Sequence, residues 1–319
     1  MALPPLLQNL RLPVIAAPMF LVSSPALLIA QCKAGIVGSM PALNARPSEQ
    51  LDDWLAEIME TLAAHSATHP EQPAAPFAIN LIVHGTNERL ERDVLTCEKH
   101  EVPLVISSLG ARTEINDAVH RWGGITMHDV INDRFAHKAI DKGADGLIAV
   151  AAGAGGHAGS TSPFALVEEI RRWFDGPLAL SGAIATGRGV LAARAIGADF
   201  AYIGSAFIAT EEANAPQAYQ QTIIDSSSDD ILYSNYFTGV YGNYLKPTIR
   251  GAGLDPDNLP AREKGMQFAR DGGGAKIKAW RDVRGAGHGI GVIDAVVPVA
   301  ALVQRLEQEY RAARSVLTD

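Results

Sequence analysis

The sequence predicts a closed (β/α)8 barrel, and three observations support that expectation. Eight short apolar runs recur through the first two thirds of the 319-residue chain. Amphipathic stretches separate them, and strands that alternate with helices form parallel sheets and barrels. The chain is longer than the roughly 250 residues that such a barrel usually takes. The surplus falls in one stretch, residues 211–290, where the alternation is lost.

The eight predicted strands share a high content of aliphatic residues and few charges. They are PVIAAPM from Pro13, GIVGSM from Gly35, FAINLIV from Phe77, LVISSLG from Leu104, GITMHDV from Gly124, GLIAVAA from Gly146, LALSGAI from Leu178 and FAYIGSA from Phe200. Amphipathic helices are predicted between them, for example over 49–64, 88–99, 134–142 and 188–196. Ser24-Pro25 and Ser162-Pro163 mark two helix starts. A doubly wound open sheet is the alternative, because the second run is the weakest.

This pattern predicts two units. Residues 1–210 form the barrel, which a C-terminal helix within 291–319 completes. Residues 211–290 form a smaller, mainly helical lid inserted after the eighth strand.

Composition narrows the classes of function. The net charge of −8 disfavours nucleic-acid partners, whose binders usually carry a basic patch. Two cysteines provide neither a disulfide framework nor a zinc site, so a reducing cytoplasm is expected. Three prolines interrupt the uncharged run over 12–32, which argues against a membrane helix or targeting segment. No spacing typical of metal ligands is present, and an oligomer remains possible.

Small polar residues end the last two predicted strands. Active sites of barrels lie at the carboxyl ends of their strands, and the loops after strands seven and eight often bind phosphate. Ser181-Gly182 and Gly204-Ser205 supply hydroxyl and amide groups at those two positions. They favour a phosphate-bearing cofactor, while the alternative is that small residues merely close the barrel mouth.

The sixth strand leads into AAGAGGHAG, a loop built almost entirely of glycine and alanine around His157. Glycines let the backbone approach a ligand closely, and a histidine beside a ligand can act as a general base. The alternative is that the glycines only form a tight turn and that His157 has no functional role.

Several other polar and aromatic residues have either a functional or a structural interpretation. His128, at the end of strand five, either contacts ligand or only ends the strand, and Asp129 is interpreted as a cap for the next helix. His288 lies beyond the barrel, where a structural turn is favoured. Four lid tyrosines either stack on a flat substrate or, more in keeping with their composition, pack the lid core: Tyr233, Tyr236, Tyr241 and Tyr244.

Together these segments resemble the nitronate monooxygenase family, formerly 2-nitropropane dioxygenase, of FMN-dependent TIM barrels. The resemblance runs nearly end to end, through PVIAAPM, FAINLIV, GADGLIAVAAGAGGHAG, LALSGAIATGRGVLAARAIGADFAYIGSAF and FTGVYGNYLKP. It implies a flavoprotein oxidoreductase with His157 as catalytic histidine. It also implies cofactor contacts at Ala17, Pro18, Met19, Asn80, Gly155, Gly156, Ser181, Gly182, Gly204 and Ser205.

Two positions depart from relatives. Val150 stands where relatives often have Asp or Gln, and His128-Asp129 stands where some have Lys. Both departures affect flavin contacts, and we expect His128 to take over the missing one.

The resemblance implies an FMN enzyme that oxidises alkyl nitronates with O2 to a carbonyl compound and nitrite. The family shares its barrel with FMN-dependent enoyl-acyl carrier protein reductases. The alternative function is therefore an NAD(P)H-dependent FMN reductase of enoyl thioesters or quinones. A flavin- or phosphate-binding protein without catalysis is a third possibility. No dinucleotide motif precedes a strand, which mildly disfavours the reductase.

Overall fold

The centre of the computed structural model, which describes residues 3–259 and 279–318, is an eight-stranded parallel barrel. In chain order the strands of the described residues are β1 (Val14–Ala16), β2 (Gly38–Pro41), β3 (Phe77–Ile82), β4 (Leu104–Ser108), β5 (Ile125–Val130), β6 (Gly146–Val150), β7 (Gly156–His157), β8 (Leu178–Ser181), β9 (Phe200–Ile203), β10 (Ile231–Ser234) and β11 (Gly242–Leu245). All eight predicted barrel strands are present, as β1 to β6, β8 and β9.

The sheet runs in the order β1-β9-β8-β6-β5-β4-β3-β2 and then closes on itself. Closure is made by a parallel bridge between Ile15 and Val37, where the Ala16 amide donates to the Val37 carbonyl over 2.8 Å. The open-sheet alternative is therefore wrong, and the fold is the predicted (β/α)8 barrel.

Most of the described helices pack around this barrel, whereas α9 and α10 belong to the segment that follows it. The described helices are α1 (Pro25–Lys33), α2 (Gln50–Thr68), α3 (Leu90–Lys99), α4 (Thr113–Arg121), α5 (Asp133–Asp141), α6 (Pro163–Arg171), α7 (Gly187–Ala195), α8 (Ser205–Ile208), α9 (Gln217–Ile224), α10 (Lys246–Gly251) and α11 (Val299–Thr318). The predicted cap Ser24 accepts a hydrogen bond from the Leu27 amide, whereas the Ser162 side chain makes no capping bond. The described helices include none long and apolar enough to cross a membrane.

Strand alternation divides the core into a lumen and a helix layer. Each barrel strand contributes an inward residue to the lumen, with Val37, just before β2, in the place of a β2 residue. These residues are Ile15, Val37, Ala78, Ile106, Met127, Ile148, Ala179 and Phe200. The residues between them face outward, so Val105 packs towards α2, α3 and α4 and Leu147 towards the remaining helices. Because successive side chains of a strand point to opposite faces, this assignment also fixes which polar residues reach the mouth.

The C-terminal helix α11 takes the place of the eighth barrel helix, between α7 and α1. Leu302, Val303 and Leu306 bury its apolar face in the same cluster as the outward strand residues. Glu309 accepts a hydrogen bond from the Gly187 amide over 2.7 Å, which joins α11 to the start of α7. The four-residue α8 leaves this position open, and α11 fills it.

The segment predicted as a mainly helical lid differs from that expectation. Its described part holds α9 and α10, but also the antiparallel hairpin β10–β11, which pairs with β7 to make a second, three-stranded sheet. Residues 260–278 of the predicted lid lie outside the described residues. The hairpin gave little sequence signal because its strands are four residues long and β11 begins with Gly and Asn, which are depleted in strands.

Candidate active site

The mouth of the barrel, formed by the carboxyl ends of its strands and the loops that follow, gathers nearly all predicted site residues. At the β1 and β9 ends, the Ala17 amide donates to the Ile203 carbonyl over 2.8 Å. A Cβ added at Gly204 would lie 3.4 Å from Ala17 Cβ and 3.7 Å from Met19 Sδ. The predicted residues Ala17, Met19 and Gly204, with Pro18 between the first two, therefore form one contiguous and half-buried patch.

The β8 end lies against the glycine-rich loop after β6. The Ala151 amide donates to the Ser181 carbonyl over 2.9 Å, and a Cβ at Gly182 would lie 2.8 Å from the Ala152 carbonyl oxygen. Gly153 has φ +86°, in the left-handed region that favours glycine, and its carbonyl accepts the Ala183 amide over 3.1 Å. The two loops are thus held by backbone contacts rather than by side chains.

A third segment, residues 285–289, joins the loops after β6, β8 and β9. The Gly287 amide donates to Ser205 Oγ over 2.9 Å, and the His288 amide donates to the Gly153 carbonyl over 2.9 Å. A Cβ at Gly287 would lie only 2.5 Å from the Gly153 carbonyl oxygen. His288 begins a short 3-10 helix over His288–Val292, and the residue before it, Gly287, contacts Ser205 directly.

Gly155 belongs to the same junction. A Cβ there would lie 3.2 Å from Ser205 Oγ and 2.8 Å from the Gly287 amide nitrogen. Together with Gly156, it carries the chain from the barrel mouth into β7. The structure thus brings Gly155 beside Ser205, one of the residues predicted to bind phosphate, whereas a Cβ at Gly156 would lie 3.7 Å from the Trp280 ring.

His157 lies in β7, where the register pairs it with Gly242 of the hairpin. Its Nε2 is 2.9 Å from Oγ1 of Thr238, a residue only 8% exposed. Thr238 Oγ1 also donates to the Val240 carbonyl over 3.1 Å. Since a carbonyl can only accept, the network assigns the Nε2 proton to His157 and leaves Nδ1 with the free lone pair.

An aromatic wall encloses the His157 ring. Trp280 meets it edge-on with ring centroids 5.3 Å apart, and the fully buried Tyr244 stacks on Trp280 at 5.1 Å. Burial lowers the pKa of His157 from 6.5 to about 4, because desolvation disfavours the imidazolium. The side chain is therefore neutral at pH 7.

The lid tyrosines differ in their surroundings. Tyr244 packs the lid core, whereas Tyr233 and Tyr241 stack on each other with ring centroids 5.0 Å apart and stay partly exposed. Stacking on a substrate stays a prediction. The Tyr233 hydroxyl donates to the Ala158 carbonyl over 2.9 Å, so the pair flanks the His157 strand.

Asn80 faces the lumen from β3, as predicted for a residue at the mouth. Its Nδ2 donates to Ser108 Oγ over 2.7 Å and to the Ile106 carbonyl over 3.0 Å. Ser108 in turn hydrogen-bonds the Asp129 carboxyl, which also accepts from the Leu109 backbone. Three neighbouring strands therefore contribute one connected polar row.

His128 does not reach the mouth, which corrects its prediction as a cofactor contact. Met127 faces the lumen, so the next residue faces the helix layer, and His128 Nε2 lies 2.9 Å from Asn116 Oδ1 in α4. The ring is 1% exposed, and burial lowers its pKa to about 4. It helps to dock α4 on the barrel.

Asp129 occupies the inward position instead. It is not the cap of α5, because Asn132 fills that position and accepts from the Phe135 amide. The two-residue period shows that only one of His128 and Asp129 can face the lumen, but periodicity alone does not say which. Thr238 lies in FTGVYGNYLKP, a segment that carries the family resemblance, but no local pattern linked it, Trp280 or residues 285–289 to His157, because they come from distant parts of the chain.

Comparisons with known proteins agree with this architecture. The sequence profile of the nitronate monooxygenase family matches residues 5–309. The chain belongs to the nitronate monooxygenase family. It is 26% identical to a nitronate monooxygenase of Paraburkholderia phytofirmans, covering 97% of this chain and 95% of that protein. Family membership makes the chain an oxidoreductase enzyme.

Solved structures show the same fold. A nitroalkane oxidase from Streptomyces ansochromogenes superposes with a TM-score of 0.77 at 22% identity, covering 98% of this chain and 99% of the other. FabK from Thermotoga maritima gives 0.76 at 22% identity, covering 98% and 96%. At this level of identity the likeness supports the TIM barrel, and the chemistry is argued from the site.

Proposed function

We propose that this enzyme is an FMN-dependent nitronate monooxygenase, which oxidises alkyl nitronates with O2 to a carbonyl compound and nitrite. The observation that carries the proposal is the position of His157. Its neutral imidazole, with a fixed tautomer, lies on β7, the strand that directly follows the glycine-rich loop packed against Ser205. Family membership supports the same chemistry.

The residues of the mouth fit a phosphate-bearing flavin. Ser181 and the glycine-rich loops offer a hydroxyl group and backbone amides without side-chain bulk, which suits close approach to an anion. Ala17, Pro18 and Met19 supply an apolar edge, and Asn80 supplies polar contact from the lumen. Ser181, Gly182, Gly204 and Ser205 would hold the phosphate. The bound flavin supplies the electron chemistry that amino-acid side chains lack.

The protein's own contribution is to bind, orient and hold a proton. Thr238 and Trp280 fix the His157 ring, and Nδ1 is the atom able to accept a proton or a hydrogen bond. A pKa near 4 makes His157 a weak base for neutral nitroalkanes. An anionic nitronate beside the ring would raise that pKa by charge attraction, so the site suits the ionised substrate better.

The proposal is tested with purified protein and added FMN. We expect a bound flavin spectrum, with oxygen uptake and nitrite release when propyl-2-nitronate is supplied. Turnover should need no nicotinamide cofactor. Flavin that is bleached anaerobically by NADH or NADPH, with no turnover across several nitronates, would instead assign the chain to the reductase alternative.

A further inference from the structure

Asp129 is the only acidic residue in the eight barrel strands, although the chain holds 35 Asp and Glu in total. The same strands hold no Lys or Arg. A carboxyl in this position is unusual because burying a charge costs free energy unless the charge is paired. Neither barrel closure nor helix docking requires it, since Asp129 faces away from the helices.

The surroundings of Asp129 fix its carboxyl without neutralising it. Ser108 and the Leu109 amide donate to it, and Asn80 donates to Ser108 in turn. Tyr202, which also faces the lumen from β9, is close enough for its own pKa to be raised well above 10 by burial and by the Asp129 charge. The lumen-facing positions of the barrel strands hold no Lys or Arg that could form an ion pair with the carboxylate.

Solvent still reaches this group. Asp129 is half-buried, whereas its neighbours Asn80, Ser108 and Tyr202 are buried, so its open side faces the mouth. Burial raises its pKa from 3.8 to about 6, which leaves it mostly ionised at pH 7. An ionised carboxylate can only accept hydrogen bonds, so a ligand placed against it must offer a donor.

We propose that Asp129 accepts a hydrogen bond from the ring N–H of the flavin bound in this mouth, and that its charge opposes reduction of that ring. The proposal rests on the proposed function. The pyrimidine edge of a flavin presents one N–H between two carbonyl groups, which is the donor that a carboxylate needs. Negative charge that builds up on the ring when it is reduced is repelled by a carboxylate at hydrogen-bond distance.

The first test compares FMN with 3-methyl-FMN, which lacks the ring N–H. The wild type is expected to bind 3-methyl-FMN about tenfold more weakly than FMN, which is the scale of one lost hydrogen bond to a charged group. In Asp129→Ala the two flavins should bind with nearly equal affinity. Asp141→Asn, an exposed substitution at the end of α5, is the matched control and should leave the wild-type ratio unchanged.

The second test measures the midpoint potential of the bound flavin in Asp129→Asn, which keeps the shape and an acceptor oxygen but removes the charge. We expect a more positive potential with FMN affinity within about threefold of the wild type, and circular dichroism establishes that the variant is folded. An unchanged potential together with an unchanged FMN preference in Asp129→Ala would overturn the role of Asp129 and leave the proposed function intact. A wild type that binds neither flavin would overturn both.

Discussion

The two halves of the barrel mouth hold their chemical groups by different means. On the side of β3, β4 and β5, side chains within regular strands form the row Asn80, Ser108 and Asp129. On the side of β6, β8 and β9, backbone atoms of three loops contact one another around glycines. The first half depends on strand alternation, whereas the second depends on residues far apart in the chain. The two halves should therefore respond differently to substitution.

The largest effect is expected at His157, which the loop half presents. His157→Asn should retain FMN but lose activity on neutral nitroalkanes by roughly 10²–10⁴-fold, the usual contribution of a general base. The loss on preformed nitronates should be smaller, because no carbon proton has to be removed. Steady-state kinetics on both substrate forms measures this, with His137→Asn on the exposed face of α5 as the control. Equal losses on the two forms would exclude proton abstraction as the role of His157.

Gly287 tests whether backbone contact holds the loop half together. In Gly287→Ala the new Cβ would lie 2.5 Å from the Gly153 carbonyl oxygen, so the loops must separate. We expect the free energy of unfolding to fall by about 1–3 kcal/mol, the usual cost of overpacking, with weakened FMN binding. Gly251→Ala is the control, because nothing lies within 4 Å of its added Cβ. Urea denaturation measures the free energy of unfolding of the two variants, and a titration with FMN measures binding. Wild-type stability in Gly287→Ala would show that the contact is not needed.

A substitution of Thr238 tests how the ring of His157, the proposed catalytic residue, is oriented. Thr238→Val removes the acceptor of the His157 Nε2 proton, and loss of one hydrogen bond of about 0.5–1.5 kcal/mol predicts a roughly two- to tenfold decrease in kcat. Thr238→Ser keeps the hydroxyl and should restore most of the rate. A serine variant as slow as the valine variant would attribute the effect to packing instead.

The smallest effect concerns pH. With a pKa near 4, His157 remains neutral from pH 8 down to pH 5, so kcat/KM should not fall through His157 protonation in that window. Trp280→Ala would admit water to the ring, and relief of desolvation should move the acidic limb of the profile up towards 6.5. A limb near 6.5 already in the wild type would contradict the desolvated environment.

Parts of this site were predictable because they follow from local sequence. Eight apolar runs gave the barrel, and Ser181-Gly182 and Gly204-Ser205 lie at the ends of β8 and β9 where the strand count put them. The choice between His128 and Asp129 was wrong because both faces of a barrel strand are buried. An apolar run with no polar face cannot show which residues point inwards.

The sequence by itself determined the order of strands and helices, the glycine-rich loop and the family to which the chain belongs, because these depend on periodicity and on motifs within short segments. Only the tertiary structure decided that Asp129 faces the mouth, that Thr238 fixes the tautomer of His157, and that Gly287 meets Ser205. Gly287 and Ser205 are 82 positions apart in the chain, and His157 and Thr238 are 81 apart. Their geometry is set by barrel closure and loop packing, which no local pattern encodes.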